Sequence, residues 1–94
     1  MEIKWLENAL KNLDSAAEYL NEHNPQAAQN FMQEVHSFTT LLKENPSMGR
    51  TGRVFGTREL VLQQFPYLIP YRVKNNRIEI LRVFPTRMNP PAYW

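Results

Sequence analysis

Between Leu6 and Leu42 the apolar residues recur at steps of three and four, and after Pro46 that rhythm stops. The first run, Leu6, Ala9, Leu10, Leu13, Ala16, Ala17 and Leu20, lays one stripe along a helix. Asn24-Pro25 follows as a cap and first-turn proline, so this helix stops near His23 and a second begins. The second helix presents Ala28, Phe31, Val35, Phe38 and Leu42 on one face until Asn45-Pro46 closes it. Two one-sided helices joined this tightly form an antiparallel hairpin. Both stripes need a cover, and the rest of the chain has to supply it.

That remainder reads as strands. Ile3 and Trp5 alternate with Glu2 and Lys4, a short first strand with one face inward. The stretch PSMGRTGRVFGT gathers all three glycines with Pro46 and reads as a loop or a pair of turns. Strands are then expected over Arg58 to Gln64, Tyr67 to Val73 and Arg77 to Phe84, with Asn75-Asn76 as a tight hairpin turn that tolerates positive φ. Pro66 and Pro70 lack a donor, so the Tyr67 strand should carry a bulge or an unpaired position. The tail NPPAYW should leave the sheet in an extended conformation. The pattern predicts one α+β domain over residues 1–94: an N-terminal strand, then an antiparallel helical hairpin packed on an antiparallel β-meander sheet. The helices cover one face; the other, carrying Arg58, Arg72, Arg77 and Arg82, is expected to stay free.

Charge separates along the same division. Residues 1–47 hold three lysines against seven acids, whereas residues 48–94 hold all seven arginines and one lysine against Glu59 and Glu79. Arginine is suited to forked contact with phosphate or carboxylate, so the second half is expected to face an anionic partner. The alternative is a solvated face balancing the helix carboxylates. With no cysteine, disulfides, thiolate metal sites and thiol catalysis are excluded. No apolar stretch approaches membrane-spanning length and the first ten residues do not resemble a signal peptide, so a cytoplasmic protein without a membrane partner is expected.

Individual side chains carry two readings each. His23, at the end of the first helix, can complement the helix dipole, and His36 adjoins the second stripe; neither has partners at metal-ligand spacing, and no metal or cofactor is expected. Glu59 reads as a strand glutamate paired with an arginine across the sheet. Tyr67 and Tyr71 share a strand face and could stack on bases, though such aromatics usually pack. Arg50 and Arg53 could grip phosphate, but GRTGR lacks the spacing of a phosphate-binding loop.

The order Glu44-Asn45-Pro46-Ser47-Met48-Gly49-Arg50, then TREL, YLIPYRV and NNRIEILRVF resembles the RelE/ParE superfamily of toxins, and more closely its ParE branch. The resemblance spans nearly the whole chain. It implies a growth-inhibiting toxin of a type II toxin-antitoxin system, of the kind associated with plasmid stabilisation. A cognate antitoxin protein would neutralise it by wrapping over sheet and helices. Two targets fall within that fold: DNA gyrase for ParE-like members, or messenger RNA on the ribosome for RelE-like endoribonucleases. Fold does not choose between them. For a ribonuclease, Arg72 and Arg82 would clamp the phosphate and Glu59 would serve as base. Many relatives place a histidine where this chain has Pro85, which has no titratable group. For a binding toxin, Arg58, Tyr67, Tyr71, Arg72, Arg82 and Arg87 are the expected contact residues. Pro85 also leaves open a chain that keeps fold and antitoxin but has lost toxicity.

Overall fold

The helices form where the apolar rhythm places them. In the computed structural model of residues 1–94, α1 spans Glu7–His23 and α2 spans Pro25–Glu44. Asn24 separates them as a working cap, its Oδ1 accepting from the N–H of Gln26 at 3.1 Å and of Ala27 at 3.4 Å. The strands are β1 (Glu2–Trp5), β2 (Arg50–Thr51), β3 (Arg58–Val61), β4 (Tyr67–Lys74), β5 (Arg77–Ile80) and β6 (Phe84–Pro85). They lie in the order β1-β5-β4-β3-β2, with β6 paired to the start of β4. Asn75 and Asn76 have φ of 53° and 59°, as a type I′ hairpin turn between β4 and β5 requires.

Three features depart from the strand expectations. β1 runs parallel to β5, Ile3 opposite Ile78 and Trp5 opposite Ile80, so the antiparallel meander gains a parallel edge. The helical hairpin carries the chain across the whole sheet between them, and a crossover of that length permits either direction. The strand expected from Arg77 to Phe84 is interrupted: β4 pairs Tyr71 with Ile80 but Leu68 with Phe84, so one extra residue is accommodated between them. Leu81 N–H still reaches the Pro70 carbonyl at 2.9 Å. In a strand, N–H and C=O of one residue point the same way, so Pro70's missing donor faces the interruption. Finally, the stretch expected as a loop or a pair of turns contains β2, which pairs Arg50 with Glu59 and Thr51 with Arg58.

The core lies between helices and sheet. Ala9, Leu13 and Ala16 of α1 and Phe31, Val35 and Leu42 of α2 meet Leu60, Leu62, Ile69, Tyr71, Ile78, Ile80 and Val83. Phe31 also packs edge-on against Phe65, with ring centroids 5.5 Å apart. Polar ties register the two layers. The buried Glu34 carboxylate of α2 accepts from Gln63 N–H at 2.7 Å and Gln64 N–H at 3.2 Å, serving the turn before β4. Asn12 of α1 accepts from Val83 N–H in the interrupted strand.

The tightest tie is Tyr71. Its hydroxyl donates to the Pro46 carbonyl at 2.7 Å and accepts from Gly49 N–H at 2.9 Å, fastening the exit of α2 to the central strand. A Cβ on Gly49 would lie 2.7 Å from the ring's Cε1, so only glycine admits the ring at this distance. Burial raises the phenol pKa above its usual 10.0, against the opposing effects of the Gly49 donor and the Arg58 charge. The folded state therefore keeps a proton that the unfolded chain releases, and stability should decline as pH climbs above 10. Tyr71→Phe leaves two backbone groups without partners and should cost about 1–3 kcal/mol in urea unfolding. It should also flatten the alkaline decline.

Candidate interaction site

Side chains alternate along β4, so Ile69 and Tyr71 face the helices while Leu68, Pro70, Arg72 and Lys74 face away. Register carries the outward face to neighbouring strands, Glu59 lying opposite Pro70 and Glu79 opposite Arg72. The two carboxylates are each held by arginines. Glu59, whose side chain is wholly covered, takes Arg50 on Oε1 (Nη2 at 2.8 Å) and both Nε and backbone N–H of Arg53 on Oε2 at 3.2 Å. Glu79 takes Arg72 Nε at 2.7 Å and Arg77 Nη2 at 3.5 Å.

These contacts set the acidities. Burial pushes Glu59 upward, but Arg50, the Arg53 amide and the Arg53 guanidinium together hold it below the usual 4.5. For Glu79 the Arg72 hydrogen bond is the largest influence, followed by opposing burial and then the charges of Arg72, Arg77 and Lys74; the carboxyl again lies below 4.5. Neither is placed to take a proton from a substrate hydroxyl. Glu59 is covered and multiply hydrogen-bonded, the arginine-paired strand glutamate of the first expectation, and it organises Arg50 and Arg53.

The expected contact residues divide. Arg72 is part-exposed on the outward face, with its Nη groups unengaged by any hydrogen bond or ion pair. Arg82 lies within the interruption between β5 and β6 and donates to the carbonyls of Leu81 and Trp94. Arg87 is exposed beside Tyr19, Pro66, Tyr67 and Pro85 around a hollow of about 360 Å³. Arg58 is not on the outward face: it pairs with Tyr71, shares the helix-side face, and donates to the carbonyls of Ser47 and Gly49. Tyr71 is fully buried and can touch no partner, and Tyr67 packs on Phe31 with centroids 5.5 Å apart. Tyr71 works in the interior, and Tyr67, on the same covered face, is half-buried and also borders the Arg87 hollow. His23 caps its own helix through Tyr19 O at 2.8 Å, and His36 is exposed.

The outward face is also less open than expected. The tail folds back, Trp94 lying edge-on to Phe84 at 4.9 Å, while Leu68, Pro70 and Leu81 on that side are buried. The open part is the corner near the hairpin. β3 begins at Arg58 opposite Tyr71, so Arg72 to Lys74 have no neighbour on that edge. A hollow of about 410 Å³ opens there, lined by Thr51, Gly52, Thr57, Arg58, Arg72 and Val73 under the exposed ring of Phe55. Sequence reasoning passed over Phe55; the available signal was a large aromatic beside Gly56 in a loop with no apolar periodicity.

A helical hairpin on one face of a sheet is the fold that the resemblance to small toxins led us to expect. Residues 3–90 match the family model described as ParE toxin of type II toxin-antitoxin system, parDE. A candidate toxin of Sinorhizobium fredii, Y4kP, is 41% identical over 81 residues, covering 86% of this chain and 83% of that protein. The structure described as the chromosomal ParDE TA system from P. aeruginosa superposes with a TM-score of 0.82 at 30% identity, covering 93% of this chain and 97% of its counterpart. The chain belongs to the ParE toxin family, the toxins of type II toxin-antitoxin systems. No helix is long and apolar enough to cross a membrane.

The lowered pKa values fix a pH dependence. Both folded carboxyls lie below 4.5, so their contribution is complete above that pH and is lost as pH falls through the lowered folded values. Glu59→Gln should lower stability at neutral pH by about 1–2 kcal/mol, the arginines being part-exposed and able to rehydrate. Its unfolding free energy should also vary less with pH below 4.5 than that of the parent, as acid titration followed by circular dichroism can test.

Proposed function

We propose that this toxin acts by binding a protein target, DNA gyrase, and that a cognate antitoxin neutralises it through the same arginine-bearing sheet. One observation carries the reading. The outward face offers cations for binding but no free group for proton transfer: Glu59 and Glu79 are held ionised, Pro85 stands where relatives often place histidine, and Tyr71 is buried. Cleavage through a 2′-hydroxyl requires a base and an acid, and stabilising the phosphate alone leaves both proton transfers unassisted. Membership of the ParE branch supports the same choice.

Arg72 and Arg82 are the residues on which an acidic antitoxin segment would bear. Arg72 keeps its Nη groups available beside Glu79, whereas an acid reaching Arg82 has to displace the Trp94 carbonyl. Rim charges of this kind tune association rate and salt dependence more than they set the final affinity.

Purified protein should inhibit gyrase supercoiling, and its induction should raise the DNA-damage response while ribosome-bound messages keep intact ends. Codon-positioned message cuts that disappear in Arg72→Ala and Arg82→Ala, with supercoiling unaffected, would establish the endoribonuclease instead. Such substitutions in a phosphate clamp typically slow cleavage by about a hundredfold or more.

A further inference from the structure

The loop between β2 and β3 is built to hold one apolar side chain in water. Gly52 N–H donates to the Thr57 carbonyl at 2.8 Å, closing the loop at its base. Thr57 returns both its N–H, at 3.2 Å, and its hydroxyl, at 2.7 Å, to the Val54 carbonyl. Arg53 is fixed from below by Glu59 through backbone and side chain. A Cβ on Gly52 would lie 2.7 Å from the Thr57 carbonyl oxygen, and Gly56 has φ of +78°, so the path depends on both glycines. Within this frame Val54 is buried and Phe55 is fully exposed.

A rigid loop that presents a phenyl ring to solvent contributes nothing to the core by doing so. Its neighbours indicate what it fits. Val73, half-exposed on the uncovered edge of β4, and the glycine-lined hollow extend the apolar area beneath the ring. Arg58 and Arg72 line the same hollow as the ring, while the nearby acids Glu59 and Glu79 are buried in ion pairs. The complement is an apolar pocket bordered by carboxylates. A nucleic acid fits less well, because Arg53 is occupied by Glu59 and Arg58 by the carbonyls of Ser47 and Gly49, which leaves only the Arg72 Nη groups for a phosphate backbone that needs a continuous cationic track.

We propose that Phe55 is the anchor by which this toxin grips its target protein, inserting into an acidic-rimmed apolar pocket on that protein. This rests on the reading of the chain as a toxin that acts on a protein, and it holds whichever protein that is. Truncating such an anchor weakens binding by at least about tenfold, whereas a ring fully in water can be removed without disturbing the fold.

The test induces the full chain and its Phe55→Ala variant at matched levels and counts surviving colonies, with thermal unfolding of both purified proteins alongside. The expected result is growth arrest weakened by about tenfold or more in Phe55→Ala at an unchanged unfolding midpoint. Equal arrest by the two proteins overturns the proposal, since a residue that served only the antitoxin would leave free toxin fully active. Absence of arrest by the parent chain overturns it as well. Phe55-dependent binding of a labelled single-stranded RNA or DNA oligonucleotide would replace the protein partner with a nucleic acid and overturn it too. If arrest depends on Phe55 while gyrase supercoiling proceeds in the presence of the parent protein, the anchor stands and only the gyrase reading falls.

Discussion

The Tyr71 hydroxyl couples the helical layer to the sheet, and much of the exposed corner follows from it. By accepting from Gly49 N–H and donating to the Pro46 carbonyl, it fixes where the chain emerges from α2. That position delivers Arg50 into β2 opposite Glu59. Arg50 and Arg53 then converge on one covered carboxylate, and the convergence seats the loop that carries Phe55. The hydroxyl is worth only about 1–3 kcal/mol as a pair of buried hydrogen bonds. Its structural leverage comes from its place, where one group ties both Pro46 and Gly49 of the loop after α2 to the central strand.

Electrostatics on the outward face follow from the same economy of partners. A carboxylate covered by protein has to be matched, and each of the two on this sheet is matched by two arginines. Arg50, Arg53, Arg72 and Arg77 thereby lie close to anions, so the positive field is weaker than a count of arginines implies. Arg77 Nε is nevertheless buried without a partner. Burial and matching also remove chemistry: a carboxyl held below 4.5 by two guanidiniums is a poor base at neutral pH.

Local periodicity exposed the helices and hairpin because both are determined over a few residues. The three-and-four rhythm, Asn24-Pro25 and Asn75-Asn76 each state a backbone conformation directly. The direction of β1 could not be read, since nothing in four alternating residues distinguishes a parallel from an antiparallel edge. The interruption at Leu81 to Val83 was legible only in part: Pro70 signalled a missing donor, but the extra residue lies on the facing strand. Arg58 was misplaced because face assignment depends on register, and shifting a strand by one residue exchanges its faces, whereas Tyr71 packs in the core as such strand aromatics usually do. Glu59 illustrates the opposite case, an arginine partner across the sheet being expected and Arg50 standing there. The second arginine, Arg53, came from a loop whose path no local signal defined.

The tail and the loop between β2 and β3 differ in how far the chain satisfies itself. The tail returns, Trp94 covers part of Phe84, and Arg82 is occupied by carbonyls of its own chain, so a partner there has to exchange existing contacts for new ones. Exchange of that kind yields little net free energy, though it can be selective. In the loop the Phe55 ring has nothing to give up. Moving a fully exposed phenyl into an apolar pocket contributes about 2–3 kcal/mol from its buried area alone, and a loop already closed by Gly52, Thr57 and Arg53 loses little freedom on docking. Affinity is therefore expected to concentrate at this corner and selectivity at the tail.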